Sequence, residues 1–404
     1  VVPPMKPAYG YRGAFIGGPL CGFWKGRVAL YGILKALEVR QGDRVLVPGY
    51  TCVVVPAAVH FLGAEPVYVD IDPKTYNISI KEIEATVQAE ARGNVKAVIV
   101  QHTYGLSVDI SPIIEWARKR GVAVIEDCAH TIGSRYRDHG GQWREVGTLG
   151  DAAFFSSQWS KPITTGLGGW AVANDPQVAQ RVQEFHAADC VAPRVQEVAR
   201  LAVQLAAYHA IVWPSFYWMA IRSFRLLARS GVFVGSSTED ELAGIMPGGY
   251  AKRMSHLQEW IGRRKMANVG RLIDHRRKLK QLYDDALVSA GLPIFQIPAH
   301  ADAVLLRYPV RVADKERVLA EARRLRIELG DWFNHPLHPK GANVAVLGWR
   351  DGMCPEGERA AREVVNLPMH SRIGEHEVVR AVRLIEPYSV YLRTAGREGP
   401  RGGR

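Results

Sequence analysis

The sequence predicts an α/β protein: a large unit built on a mostly parallel sheet covered on both faces, followed by a smaller α+β unit. Three observations carry this. From about residue 24 to 175, short apolar runs such as RVLVP, AVIV and VAVIED alternate with segments of helical spacing. These apolar runs suit strands enclosed on both faces, as parallel strands are. After about residue 293 a shorter strand, helix, loop and helix follow, and 404 residues are enough for one large domain and a smaller one. The expected division is a large unit over 1–290 with a helical, apolar and basic insertion at about 186–245, a small unit over 291–390, and a flexible basic tail over 391–404.

Each element has its own signal. KGRVALYGILKALEV (25–39) spaces its apolar residues as a helix does and ends at Gly42-Asp43, before the apolar run RVLVPGY. CVVVPAAVHFLGA reads as helix, EPVYVDID as strand and SIKEIEATVQAEA (79–91) as an exposed helix. KAVIVQHTYG is a buried strand with its end loop. DISPIIEWARKRG is a helix capped by Ser111 or Asp109, with Pro112 near its first turn. VAVIEDCAH, DAAFFSSQ and GGWAVAND supply three more strands. Beyond residue 176 helix dominates, including one long basic amphipathic helix over 256–287, expected to be solvated or to face another subunit. The small unit contributes strand VLLRYPVRV, helix KERVLAEARRL, a strand-and-loop region around WFNHPLHP, and helix EHEVVRAVRLI (375–385).

The net charge of +12 favours anionic ligands, among them phosphates and nucleotide-linked substrates. The five cysteines are odd in number and form no CxxC, which argues against a disulfide framework or a structural zinc site and for a reducing compartment. The first twenty residues lack the long apolar core of a signal peptide. LAVQLAAYHAIVWPSFYWMAI (201–221) carries no charged residue, and between Glu197 and Glu239 stand Arg200, Arg222, Arg225 and Arg229 with no acid. Three readings fit this stretch. One is a helical insertion packed on the protein or a dimer partner. Another is a peripheral, in-plane membrane contact through 198–229 with Trp213, Tyr217 and Trp218 at headgroup level. The third is a membrane span.

The chemistry centres on FFSSQWSKPITTGLGGW (154–170), where Lys161 stands among Phe, Trp, Pro, Ile and Gly. Burial disfavours an ammonium and frees the amine as a nucleophile, the state in which lysines form Schiff bases with carbonyls or with pyridoxal phosphate (PLP). PLP also requires a carboxylate at its ring nitrogen, a cup for its phosphate and a flat or bulky contact for its ring. Asp127 ends the strand VAVIED, 34 residues before Lys161, and His130 follows it by three. Gly26 in KGR opens a helix and allows a phosphate to approach the backbone. Ser156 and Ser157 precede the lysine just past a strand.

With these parts in place the chain resembles the DegT/DnrJ/EryC1/StrS family of PLP-dependent sugar aminotransferases, which have the aspartate-aminotransferase (type I) fold. The matching stretches include KGRVALYGILKALEVRQGDRVLVPGYTC (25–52), VKAVIVQHTYGLSVDISPI (95–113), VAVIEDCAHTIGSRYRDHGGQWREVGTLGDAAFFSSQWSK (122–161) and GLGGWAVAND (166–175). GGYAKRMSHLQ (248–258) and CPEGERAAREVVNLPMH (354–370) extend the match toward the C-terminus. The resemblance implies that Lys161 is the Schiff-base lysine, Asp127 the partner of the pyridine nitrogen, His130 a residue beside the cofactor, and Ser156 a phosphate ligand. It places Gly26 and Arg27 in the phosphate cup, where the family usually has Gly-Thr. Cys52 stands where many members carry an aromatic stacker, a contact that Tyr50 or Trp24 would have to replace. The family's Gly-Tyr-Asn, whose Asn reaches the neighbouring subunit's cofactor, is here Gly249-Tyr250-Ala251, leaving Lys252 as the alternative cation.

The function so implied is transfer of an amino group from an amino acid, glutamate by analogy, to a keto-sugar, nucleotide-linked, in amino-sugar or surface-polysaccharide biosynthesis. A homodimer in the cytoplasm, with or without membrane association, is expected. Two alternatives are a PLP-dependent sugar dehydratase, in which the lysine is replaced by histidine, and a non-catalytic sensor or scaffold with a PLP fold. His335 and His338 in NHPLHP are expected near the substrate. Their spacing of three with no evident third ligand gives no metal site. The basic helix carries no nucleic-acid motif.

Overall fold

A computed structural model of the chain describes residues 21–89, 94–211 and 237–390. Its centre is a seven-stranded sheet in the order β1-β10-β9-β6-β5-β2-β4. The strands are β1 (Cys21–Phe23), β2 (Arg44–Pro48), β4 (Glu65–Val69), β5 (Val95–Gln101), β6 (Ala123–Asp127), β9 (Ala152–Ser156) and β10 (Gly169–Ala173). From β9 to β4 all are parallel, and β10 and β1 complete one edge antiparallel.

The continuous apolar runs follow from this placement, because successive side chains of a strand point to opposite faces and both faces are covered. Val45, Val47, Ala97, Ile99 and Ile125 enter one core with α1 (Gly26–Ala36), α2 (Val54–His60) and α5 (Pro176–Ala188). Leu46, Val98, Val100 and Val124 enter a second core with Ile83 of α3 (Ile80–Ala89) and Ile113 and Trp116 of α4 (Ser111–Arg118). The cap expected for α4 is absent. Ile110 holds the N-cap position without a side-chain bond, and the Asp109 carboxylate instead accepts the Tyr136 hydroxyl at 2.8 Å.

The C-terminal part of the chain is tied to the rest by two strand pairings and a shared core. Strand β12 (Arg307–Arg311) pairs antiparallel with β14 (Val364–Pro368), with α10 (Lys315–Leu325), α11 (Pro355–Glu363) and α12 (Glu375–Ile385) around them. Strand β11 (Ala301–Asp302) extends the small sheet of β7 (Arg135–Arg137) and β8 (Trp143–Glu145). Most relevant to the site, β13 (Leu337–His338) runs parallel to β3 (Thr51–Cys52), so His338 lies in register with Cys52. Tyr308, Val364 and Val365 of the second unit share the core of Val98 and Val100, so one continuous core joins the two.

The helix expected over 256–287 is two helices, α8 (His256–Met266) and α9 (Val269–Ser289). Asn268 breaks it: its backbone leaves the helical region and its side chain donates to the Arg264 carbonyl at 3.1 Å, the competing local bond that makes Asn a poor interior residue. Met266, Val269 and Ile273, either side of the break, all pack into one cluster with Phe155 and Trp170. Nor is this helix pair solvated throughout, since Arg276 is 4% exposed.

The insertion is described in part, as α6 (Val195–Ile211) and α7 (Glu239–Ala243). Leu201 and Leu205 of α6 are buried against Trp24 and Leu167. Residues 212–236, which hold the second half of the charge-free stretch and most of 198–229, lie outside the described residues, as do 1–20 and the tail 391–404. Among the described residues no helix is long and apolar enough to cross a membrane. All five cysteines are free thiols.

Candidate active site

The carboxyl ends of β5, β6 and β9 and the amino end of α1 converge on one cavity, lined by Gln101, Asp127, Ser156 and Gly26. It lies just outside the carboxyl ends of the parallel strands, where open α/β sheets bind ligands. Asp127, the last residue of β6, is 2% exposed, and its Oδ1 accepts the Ala129 N–H at 2.9 Å. Burial pushes its carboxyl up to about 6, opposed by that bond and by Lys161. The side chain therefore remains an anion at neutral pH.

Lys161 lies in the turn after β9 and lines the same cavity. Its backbone N–H bonds the Gln158 carbonyl at 2.9 Å. The turn is fixed from behind by Ser157, whose hydroxyl meets that of Thr165 at 2.7 Å and whose N–H reaches the Gly168 carbonyl. Desolvation brings the Lys161 amine down to about 8; Cys52 and Asp127 work against that shift, while Arg307 and Arg27 add to it. Its Nζ sits 4.6 Å from the centre of the Trp332 ring.

The opposite end of the cavity is built to receive an anion. Helix α1 begins at Gly26, which lines the cavity, so the positive end of its dipole lies at the cavity. Gly26 is required here by close approach: a Cβ would fall 2.9 Å from the Ser156 Cβ and 3.2 Å from the Phe155 carbonyl oxygen. Lys25, Arg27 and Ser156 line this end, whereas Ser157 does not. Glu241 of α7, 2% exposed, pairs with Lys25 at 3.1 Å and Arg27 at 2.9 Å, and Arg27 also bonds the Ser237 hydroxyl. Burial works to raise the Glu241 carboxyl, but Arg27 and Lys25 outweigh it and hold it below its usual range. Two cations share one carboxylate, leaving surplus positive charge beside the helix terminus.

The remaining candidates fall at defined places. His130 is buried, accepts the Tyr104 N–H at its Nδ1, and stacks on Trp332 at 5.4 Å. Burial, with Lys161 and Arg307 nearby, holds its pKa well down, so the ring is neutral. Cys52 lines the cavity. Tyr50 and Trp24 do not: the Tyr50 hydroxyl is engaged with Tyr104 at 2.7 Å, and Trp24 packs beside Leu167. His338 lies in register with Cys52 and within electrostatic reach of Lys161. His335 turns elsewhere, its ring 6.4 Å from that of Trp349. Lys252 pairs with Glu197 at 2.6 Å.

Sequence reasoning missed Lys25, Gln101, Glu241, Trp332 and Arg307. Gln101 ends β5 and lines the cavity, its amide donating to the Tyr50 carbonyl and the Thr103 hydroxyl. The flagged stretch WFNHPLHP did contain a group facing Lys161, but it is Trp332 as well as His338. His102, Glu126 and Cys128 form one buried cluster beside β6. There Glu126 is already satisfied by His102 and by the N–H groups of Gly147, Leu149 and Gly150.

A half-buried amine of lowered pKa, an anionic carboxylate at a strand end and a helix N-terminus around one cavity suit an aldehyde-bearing, phosphorylated cofactor. The profile of the DegT/DnrJ/EryC1/StrS aminotransferase family matches residues 22–212 and 218–386, and the chain belongs to that family. It is therefore a PLP-dependent aminotransferase with the type I fold. It is 27% identical over 372 residues to a pleiotropic regulatory protein of Geobacillus stearothermophilus, covering 91% of this chain and 84% of that one. It is also 27% identical to the UDP-N-acetyl-3-dehydro-alpha-D-glucosamine 3-aminotransferase of Acidithiobacillus ferrooxidans, over 89% of this chain and 81% of the other. A solved aminotransferase of the same family from Brucella abortus superposes with a TM-score of 0.69 at 21% identity, covering 94% of this chain and 88% of that one.

The residues present fit the cofactor. The α1 terminus at Gly26, packed close on Ser156, and the cations Lys25 and Arg27 suit a phosphate dianion, and Asp127 is an acceptor for a ring N–H. Bound there, PLP supplies the electron sink that lets an amino group pass between carbon centres.

Proposed function

We propose that this chain transfers an amino group from an amino acid, glutamate by analogy, to a keto-sugar carried on a nucleotide, in amino-sugar or surface-polysaccharide biosynthesis. The observation that supports the reading is that Lys161, its amine brought down to about 8, shares one cavity with Asp127 and the α1 terminus. Relatives named for UDP- and GDP-sugar products support the nucleotide-linked acceptor.

In this reading Lys161 holds the cofactor, then its freed amine takes the α-proton from the donor and redelivers it. Asp127 keeps a proton on the ring nitrogen through its charge. Ser156, Gly26, Lys25 and Arg27 hold the phosphate; His130 with Trp332, and Cys52, bound the ring. His338 lies on the substrate side, and His335 has no part. Retention of Lys161 counts against the dehydratase reading. The name of the Geobacillus relative keeps a regulatory role as a second reading.

The test is a pair of half-reactions on purified protein. Glutamate should bleach the yellow protein, and a keto nucleotide sugar should restore the colour with release of an amino sugar. Lys161→Ala should abolish both. A yellow protein indifferent to every donor would favour the regulatory reading.

The assembly belongs to the same proposal. Val203 of α6 and Trp260 of α8 are 68% and 59% exposed, apolar surface that a second copy would cover. We expect a homodimer in sedimentation, working in the reducing cytoplasm. Flotation with anionic vesicles, with and without residues 198–229, tests peripheral membrane contact.

A further inference from the structure

The ring that faces Lys161 is held by a second lysine, one that the chemistry above does not use. Trp332 has its ring centre 4.6 Å from Lys161 Nζ and stacks on His130 at 5.4 Å. It lies between α10 and β13, outside any helix or strand, so side chains must fix its backbone. The Trp332 N–H donates to Asn366 Oδ1 at 2.8 Å, and the Trp332 carbonyl accepts the Tyr104 hydroxyl at 2.7 Å. The Phe333 N–H donates to the Tyr50 hydroxyl at 3.2 Å. The carbonyls on either side, of Asp331 and Phe333, both accept from Lys315 Nζ, at 3.3 and 2.9 Å. The same ammonium donates to the Ala361 carbonyl at 2.9 Å, in the last turn of α11, where a helix leaves its carbonyls without partners of its own.

This is an uncommon place for a lysine. Lys315 is 7% exposed, and it opens α10, where the helix dipole opposes a cation. Its hydrogen bonds go to backbone carbonyls, and burial brings its amine down to about 8, opposed only by the charge of Asp331. Burying the cation costs free energy that an apolar side chain would not. What the ammonium provides in return is geometric: its three donors match three carbonyls that converge from a loop and a helix end. Removing them would leave those carbonyls buried without partners and the segment 331–333 untied from α11.

We infer that Lys315 is a positioning residue: by clamping the carbonyls of Asp331 and Phe333 to the end of α11, it sets the Trp332 ring over the amine of Lys161 and keeps water from it. The inference rests on the aminotransferase reading above, in which Lys161 is the reactive amine.

The test reads the Lys161 amine directly. The purified full chain, freed of cofactor, is labelled with trace acetic anhydride over a series of pH values, and the label on the Lys161 peptide is measured by mass spectrometry; only a neutral amine reacts. The parent should label with a midpoint near 8. Lys315→Met keeps the length of the side chain and removes its donors, and the midpoint should rise by about one pH unit toward the ordinary lysine value as water reaches the amine. The attraction of the ring face for an ammonium acts in the other direction and is the weaker effect, since the amine stands below 10.5 with the ring in place. Trp332→Ala should give the same rise, and adding Lys315→Met to it should give no more, because both remove one wall. Leu287→Ala, a core truncation in α9, should lower the melting temperature and leave the midpoint where it is. An unmoved or lowered midpoint in Lys315→Met, or rises that add in the double variant, would overturn the inference. Should Lys315→Met not fold, Lys315→Gln, with two donors on a shorter stem, is compared with Trp332→Ala in the same way. The label needs neither cofactor nor substrate, so the expected shifts in a protein that transfers no amino group would support the role of Lys315 and remove the transferase reading.

Discussion

At the scale of residues, the site is an exercise in desolvation. Lys161 with an ordinary pKa of 10.5 would be an ammonium at any physiological pH; brought down to about 8 it is neutral in roughly one molecule in ten at pH 7. Capture of the cofactor by the apoprotein needs the neutral amine. Its rate should therefore climb nearly tenfold per pH unit below 8 and flatten above it, as stopped-flow absorbance would record. A profile still rising steeply past pH 9 would mean that burial does not tune this lysine. Lys161 and Asp127 were legible in sequence because each follows from a local signal, Asp127 at the end of the strand run VAVIED and Lys161 as a lone cation in the apolar, glycine-rich turn after β9. Trp332, Arg307 and Glu241 were not, because what makes them matter is contact with residues tens to hundreds of positions away, and nothing in WFNHPLHP or TEDELAG encodes that.

At the scale of elements, α1 and α7 belong together. The carboxylate of Glu241 holds Lys25 and Arg27 beside the N-terminus of α1. Glu241→Gln removes the buried carboxylate that Lys25 and Arg27 share and should cost roughly 3 kcal/mol in thermal or urea unfolding of the apoprotein. Phosphate or PLP should raise the melting temperature of the variant more than that of the parent, since the dianion replaces the missing charge. An equal rise in both would show that Glu241 and the anion site are not coupled. Gly26→Ala is the complementary probe. Its methyl meets Ser156 and the Phe155 carbonyl, so the α1 terminus must move back, and PLP affinity measured by equilibrium dialysis should fall on the order of tenfold. Elements such as α10, over Lys315–Leu325, coincide with the segment KERVLAEARRL read from its periodicity. The split between α8 and α9 was hidden because apolar spacing continues across it, and only the side-chain bond of Asn268 ends the first helix.

At the scale of the molecule, the N- and C-terminal parts of the chain share one core, and the proposed site lies where they meet. The large unit supplies the lysine, the aspartate and the anion cup. The second unit supplies Trp332, Arg307 and His338, carried there by β12 and by the pairing of β13 with β3. The architecture was legible from the order of apolar runs and helices, since a parallel sheet leaves few other ways to bury them. The burial of Arg276 was not, because a basic residue on an amphipathic helix reads as solvent-facing unless the packing partner is known. The cavity also contains a rival for the central role. Lys25 lines it, and burial, with Arg27 close by, brings its amine down to about 8 as well, although Glu241 holds it as an ion pair. The most direct measurement is therefore borohydride reduction of the yellow protein followed by digestion and mass spectrometry. The account predicts the cofactor-derived mass on the peptide that contains Lys161, with Lys25 unmodified; the mass on Lys25, or on no lysine of this cavity, would contradict it.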